Sequence, residues 1–199
     1  MEDSFNEKQS LELIAGMINK AKNNFSESGM LYLVWGFAIL FCSLSQFVLG
    51  SIMGYKHVYY IWFLTWPVYF YQAIFLYKKK RKATVKTYTD EIIGYVWICF
   101  IICFAIMMFI LIYSRKVELI YSAVLVMYGI PTFLSGAILK VKSLVSGGIF
   151  CWALACISLF VPYNYHLLLI SAAVVVAWIV PGYFLRNKYL TESKLLAKI

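Results

Sequence analysis

Long uncharged windows alternate with short charged segments along this chain. Apolar residues dominate the uncharged windows, which fill residues 28–55, 57–77, 92–114, 119–139 and 143–185. Each window is long enough for a helix to cross about 30 Å of hydrocarbon, which takes about 20 residues. A strand of a membrane barrel would instead alternate polar and apolar residues over about ten positions. The pattern therefore predicts an all-α, polytopic membrane protein.

The last window holds two spans, because it is too long for one crossing at about 1.5 Å per residue. Pro162, Tyr163 and Asn164 supply a turn in its middle. The sequence thus predicts six transmembrane helices in a domain over residues 29–185, near 29–49, 57–77, 92–113, 119–139, 144–161 and 166–185. The first 28 residues lack the continuous apolar core of a cleavable signal peptide, so we expect the first span to act as the insertion signal.

Residues 1–28 show a helical period instead. Ser4 and Glu7 fit a capping box. Apolar residues follow at spacings of three and four, namely Leu11, Ile14, Ile18, Ala21 and Phe25. This pattern predicts an amphipathic helix of about 20 residues. The helix either lies in the cytoplasmic headgroup layer or serves as an interaction helix that docks on a partner or on a second copy.

Composition and charge fix the expected orientation. The chain is 63% hydrophobic and 14% charged, whereas a soluble domain carries about a quarter charged residues. The net charge of +9 is not accompanied by any nucleic-acid recognition motif, so we expect no nucleic-acid partner. With six spans, every Lys and Arg except Lys56, Arg115 and Lys116 falls on one side of the membrane. The positive-inside rule then places both termini, including a basic tail at 186–199, in the cytoplasm, where anionic headgroups of the lipid bilayer are partners.

Two patterns concern how the spans pack. A tryptophan recurs in the odd-numbered spans and a proline in the even-numbered ones, at Trp35, Trp97, Trp152 and at Pro67, Pro131, Pro181. This recurrence predicts three repeated helical hairpins, although interfacial tryptophans and tolerated prolines occur at such depths anyway. In the fourth span Ser122, Gly129 and Gly136 recur every seven residues, and Ala173 and Ala177 form a shorter small-residue face in the sixth. Such faces favour close approach of helices.

The interior prolines suggest where a ligand could bind. Each proline removes the hydrogen bond of the carbonyl four residues earlier, which leaves Phe63, Met127 and Ala177 as candidate polar points. With these, a cavity for a small amphipathic or aromatic ligand would be lined by Trp66, Pro67, Gln72, Tyr128, Pro131, Thr132, Trp178 and Pro181. The alternative, which we favour, is that the polar groups bond to one another between packed helices.

The sequence contains little that points to chemistry. No ionisable residue falls in the middle of a span, no catalytic motif is present, and we expect no catalytic residue, cofactor or metal site. His57, His166 and Glu118 lie among outer tyrosines, which predict an interfacial aromatic belt rather than a metal or pH-sensing site. All five cysteines fall inside spans and are predicted to be packed thiols, at Cys42, Cys99, Cys103, Cys151 and Cys156.

Several stretches together resemble an uncharacterised family of bacterial six-helix integral membrane proteins with an amphipathic N-terminal helix. They are "SLELIAGMINKAKNNF", "GMLYLVWGF", "YGIPTFLSGAILK" and "VPGYFLRNKY". The resemblance covers most of the chain. It implies a location in the bacterial plasma (inner) membrane, and it implies no activity or site residue.

Two hypotheses of function follow. The first is a non-enzymatic sensing, regulatory or protein-interaction role through the N-terminal helix and the basic cytoplasmic loops, with the six-helix bundle as anchor. The second is a small-molecule binder or transporter that uses the proline-lined cavity, similar to the compact six-helix substrate-binding subunits of vitamin importers. The absence of membrane-embedded charge and the pattern of the N-terminal helix favour the first.

Overall fold

Helices and turns account for residues 28–82 and 88–196, the part of the chain described by the computed structural model. The helices are α1 (Ser28–Phe47, extended by a π-helical turn, Val48–Ile52), α2 (Thr65–Lys82, preceded by a 3₁₀ helix, Val58–Leu64), α3 (Tyr88–Tyr113), α4 (Ile120–Ile138), α5 (Lys142–Ser158) and α6 (His166–Val174, a π-helical turn Val175–Ile179, and Val180–Leu196). The all-α prediction is therefore confirmed for the described ranges. The predicted N-terminal helix and its five stripe residues lie outside these ranges.

Among the residues that the structure describes, four helices are long and apolar enough to cross a membrane, over Gly29–Ile52, Glu91–Tyr113, Val117–Ile138 and Tyr163–Asn187. They coincide with the predicted first, third, fourth and sixth spans. Helices α2 and α5 occupy the places of the other two, but α5 has 17 residues and α2 ends in a basic run. The last helix continues to Leu196, so the predicted tail is helical up to that residue.

The core lies between α1, α4, α5 and α6. Helix α4 packs along α5, while α1 packs along α6. Leu125 of α4, Leu144 of α5 and Ile170 of α6 are completely buried between these helices. Helices α2 and α3 lie at the periphery, where α2 packs on α1 and α3 on α4. On α3, Ile98, Phe109 and many other large apolar side chains are more than half exposed, as expected of a surface that faces lipid.

The small-residue face predicted on α4 is confirmed. Ser122 hydrogen-bonds with Ser158 of α5, and a Cβ added at Gly136 would lie 2.6 Å from the backbone nitrogen of Val145. A Cβ at Gly129 would overlap the indole ring of Trp152. The small residues thus let the backbones of α4 and α5 approach closely, which maximises van der Waals contact where lipid removes the hydrophobic driving force.

Two adjacent glycines of α5, which sequence reasoning did not single out, extend this close contact to both neighbours. A Cβ at Gly147 would lie 2.6 Å from the Cα of Ala177 in α6, within the small-residue face predicted there. A Cβ at Gly148 would lie 2.8 Å from the backbone nitrogen of Phe133 in α4. Helix α5 is therefore held between α4 and α6 at the same height along its axis.

The three prolines of the predicted even-numbered spans occupy different positions in their helices. Pro181 follows the π-helical turn Val175–Ile179, whose wider turn makes room for the ring and for the missing N–H. Pro131 lies inside α4. Pro67 is the third residue of α2, so it lies in the first turn, where prolines are tolerated, and the Phe63 carbonyl accepts a hydrogen bond from the Thr65 N–H. The prediction that Pro67 frees the Phe63 carbonyl is therefore wrong.

The three hairpins of the predicted repeat do not pack alike. Trp35 contacts α2, Trp97 contacts Tyr32 of α1, and Trp152 contacts α4. Pro67 is exposed, whereas the other two prolines are buried. The contacts thus give the repeat no support, and it stays a prediction.

Exchanging single glycines tests the close approach of α5 to α6. We expect Gly147→Ala to lower the free energy of unfolding by about 1–3 kcal/mol, because the added methyl group meets fixed backbone. The control is Gly94→Ala on α3, where a Cβ meets nothing within 4 Å. This change should raise stability by about 0.5–1 kcal/mol through helix propensity. Unfolding in mild detergent measures both, and a neutral Gly147→Ala would contradict the packing described.

Candidate functional site

Five of the eight predicted cavity residues are buried in the interior, and three lie elsewhere. The buried ones belong to α4 and α6, and they are Tyr128, Pro131, Thr132, Trp178 and Pro181. Trp66 and Pro67 are exposed at the start of the peripheral helix α2. Gln72 is half-buried on the same helix. The eight residues therefore do not line one common cavity.

Direct contacts join three of the five interior residues. The indole Nε1 of Trp178 donates a hydrogen bond to Thr132 Oγ1 at 2.9 Å, and that hydroxyl donates to the carbonyl oxygen of Tyr128 at 2.7 Å. The rings of Tyr128 and Trp178 have centroids 4.8 Å apart. Phe100 and Phe104 of α3 also lie near the Tyr128 ring, at centroid distances of 6.3 and 6.5 Å. This cluster fills the space that the ligand hypothesis assigns to a cavity.

Gln72 is also paired within the chain. Its Oε1 accepts a hydrogen bond from the indole Nε1 of Trp35, which ties α2 to α1. Together with the Trp178–Thr132 bond, this contact agrees with the alternative that the polar groups bond to one another between helices. In hydrocarbon such a bond also spares each partner the cost of an unpaired polar group.

A second polar cluster lies toward the opposite end of the core, around Gln46 of α1. The Trp62 indole Nε1 donates to Gln46 Oε1, and Gln46 Nε2 donates to the hydroxyl of Tyr121 at 2.8 Å. The Tyr121 ring lies 5.2 Å from that of Tyr163, centroid to centroid. One amide thus joins α1 to the 3₁₀ helix before α2 and to the start of α4. Sequence reasoning missed Gln46, although an amide inside an apolar window is a signal that an interhelical partner is needed.

Pairs of serine hydroxyls form hydrogen bonds at two further contacts between helices. Ser43 of α1 and Ser171 of α6 have hydroxyl oxygens 2.7 Å apart, the same distance as in the Ser122–Ser158 pair. Ser43 and Ser158 are essentially inaccessible to solvent. Every helix of the core therefore makes at least one side-chain hydrogen bond to a neighbouring core helix.

Groups that carry chemistry stay apart. His57 contacts Tyr59 and Tyr60 on the exposed 3₁₀ segment, while His166 is 6% exposed and its Nε2 lies 2.9 Å from the Val161 carbonyl oxygen. Within residues 28–82 and 88–196, no three His, Cys, Asp or Glu side chains come together as a metal site would require.

The cysteines are all free. Cys42 and Cys151 are buried, as expected of packed thiols. Cys99, Cys103 and Cys156 are exposed, so the prediction of packing within the chain is wrong for these three. They lie on helix faces directed away from the core, where continuous apolar sequence gives no indication of which side is inside.

The Trp178–Thr132 bond can be tested by a double-mutant cycle. Thr132→Val keeps the shape and leaves the buried indole N–H unpaired, so we expect the free energy of unfolding to fall by about 1–2 kcal/mol. Adding Trp178→Phe should cost less than the sum of the two single changes. The control is Thr191→Val, because Thr191 is exposed and its hydroxyl bonds within its own helix, to the Asn187 carbonyl. Additive losses on unfolding in detergent would rule out the bond.

Comparison of the chain with protein-family models, with curated proteins and with solved structures gives no match. The resemblance noted from the sequence therefore stays an expectation. Function must be inferred from the chain's own residues and their contacts.

Proposed function

We propose that this chain is a non-enzymatic integral membrane protein with a sensing, regulatory or protein-interaction role, exerted through its N-terminal helix and basic cytoplasmic loops. The helical bundle serves as the anchor. One observation carries the proposal: side chains in direct contact fill the interior where a transported or bound ligand would lie. Thr132, Pro131 and Pro181 are fully buried there, Trp178 bonds to Thr132, and the rings of Trp178 and Tyr128 pack against each other.

The distribution of charge supports the same proposal. Coupled transport and proton relays place ionisable groups in the membrane interior. Here the charged residues of the apolar helices stand at their ends, as Glu91, Glu118, Lys142 and Arg186 do. Hydroxyls, amides and indoles of the core bond across helices, and the buried imidazole of His166 stands at the start of α6. Such bonds hold a bundle together and offer no path for an ion.

The proposed placement is a bacterial plasma membrane crossed six times, with both termini in the cytoplasm. Helix α5, with 17 residues, is about 25 Å long at 1.5 Å per residue, a little less than the hydrocarbon core. A bilayer accommodates such a helix by thinning locally, and Lys142 at its end can extend toward the headgroups. The 3₁₀ helix before α2 supplies the extra length for the second crossing.

The cytoplasmic face of this arrangement carries the groups that a partner would contact. The basic run that begins at Lys78 continues α2 toward that face. The predicted helix over residues 1–28 presents its apolar stripe there. The partner of this surface is a cytoplasmic protein or a second copy of the chain. The anionic headgroups of the lipid bilayer contact the same surface.

Labelling of single cysteines tests the number of crossings. With six spans, Ser4→Cys and Ser193→Cys react with an impermeant maleimide from the cytoplasmic side, and Ser114→Cys in the α3–α4 turn reacts from the other side. If α2 and α5 do not cross, the termini still share a side but Ser114→Cys joins them. Labelling at position 114 therefore distinguishes six crossings from four. The variants are made in a background in which the native cysteines are replaced.

Matched substitutions on two faces of the N-terminal helix test the interaction role. Ile14→Asp with Ile18→Asp adds two negative charges to the apolar stripe, while Gln9→Asp with Asn23→Asp adds two to the opposite face. A photo-crosslinker at Leu11 should give a discrete protein adduct that only the stripe variant loses. Mass spectrometry of the adduct identifies the partner. Adducts with lipid alone would contradict the interaction role, and unchanged adducts in both variants would leave the ligand-binding alternative ahead.

A further inference from the structure

A groove opens beside the turn that joins α4 to α5. Its volume is about 350 Å³, its walls are mostly apolar, and two lysines stand at its mouth. Gly136 and Ala137 of α4 and Val145, Ser146 and Ile149 of α5 supply the walls, and Ser146 is the one polar residue among them. Lys140 and Lys142 supply the positive charge. Lys140 lies in the three-residue turn 139–141, and Lys142 is the first residue of α5.

Lys140 is held in an unusual backbone conformation. Its φ of 54° lies in the left-handed region, where glycine is the common residue after a helix. The turn closes by hydrogen bonds from Val141 N–H to the Gly136 carbonyl at 2.9 Å and from Lys140 N–H to the Ala137 carbonyl at 3.2 Å. Glycine would make this turn without strain. A lysine here keeps a cationic side chain at the mouth of the groove despite that strain.

The carboxylates whose side chains the structure describes leave both lysines unneutralised. Glu91 lies on α3 and accepts a hydrogen bond from Tyr95, and Glu118 lies before the opposite end of α4. The two positive charges therefore face an apolar groove at the end of the bundle with no described counter-ion.

An apolar groove with a cationic mouth at a membrane surface complements an amphipathic anion. An acyl chain fits the walls, and a phosphate with net negative charge fits the two ammonium groups. A soluble anion would leave the walls exposed, and a zwitterionic headgroup would carry its own cation to the lysines. We propose that this groove binds an anionic phospholipid of the cytoplasmic leaflet, an inference that rests on the proposed membrane placement.

The test compares lipids retained by the full chain. The protein is reconstituted in nanodiscs that contain equal amounts of phosphatidylglycerol and phosphatidylcholine, and native mass spectrometry reports the lipids that stay bound on release. We expect bound phosphatidylglycerol to exceed phosphatidylcholine by about tenfold, the scale expected for two lysines near anionic lipid. Lys140→Gln with Lys142→Gln should remove most of this preference.

The chain offers a matched control at the other end of the bundle. Arg115 and Lys116 likewise put two positive charges in a turn between helices, and Arg115 has a left-handed φ of 55°. Arg115→Gln with Lys116→Gln removes the same charge and should leave the lipid preference unchanged. Lys140→Gly and Arg115→Gly both relieve the backbone strain, yet only the first should reduce retention of phosphatidylglycerol. Equal effects of the two pairs would overturn the proposal.

Two further measurements distinguish lipid binding in the groove from attraction to the lysine charges alone. Ala137→Phe fills the groove and leaves both lysines, so it should reduce retention as much as the double lysine variant. If it has no effect, or if inorganic phosphate binds with the same dependence on Lys140 and Lys142, the lipid site is rejected. Incorporation into the nanodisc and the labelling of Ser114→Cys report on the membrane placement independently, so its failure is distinguishable from failure of the site.

Discussion

Close approach between helix backbones is the constraint on which this structure depends. Lipid tails are as apolar as leucine, so burying apolar side chains between spans gains little, and helices associate through dense contact instead. Helix α5 illustrates this requirement, because Gly147 and Gly148 bring it against the backbones of α6 and α4 at one level. Once α5 is held there, α1 packs along α6 and completes the four-helix core.

The same absence of water explains the hydrogen bonds across the core. A polar side chain that leaves water without a partner loses several kcal/mol in an apolar medium, by about 4–8 on the strictest scale. The core pairs such groups directly, as in the bonds between Trp178 and Thr132 and between Ser43 and Ser171. In the described residues, Ser135 Oγ and His166 Nδ1 are the buried side-chain polar atoms without a hydrogen-bond partner. A bundle whose other buried polar groups satisfy one another offers a ligand few donors or acceptors, and its charge is concentrated at the edges.

Patterns in the sequence predicted where the helices form and which face of α4 packs closely against a neighbour. The uncharged windows located all the described helices, and the seven-residue spacing of Ser122, Gly129 and Gly136 located the contact of α4 with α5. The same patterns did not show that α2 and α3 are peripheral, or that Cys99 faces outward. The reason is physical: a span is apolar on its lipid side as well as on its packed side, so periodicity carries little information about which side is inside.

The candidate ligand site also shows what the sequence pattern could not predict. Trp66 and Trp178 look equivalent in sequence, since each lies one to three residues before a proline in an even-numbered span. Their environments differ because Pro67 falls in the first turn of its helix whereas Pro181 falls beyond a π-helical turn inside one. Only the second arrangement opens the helix within the core, and there Trp178 turns toward Thr132 and closes the space. The position of a proline within its helix thus determines whether the surrounding side chains leave a cavity or pack closely. The spacing of tryptophan and proline in the sequence does not give that position.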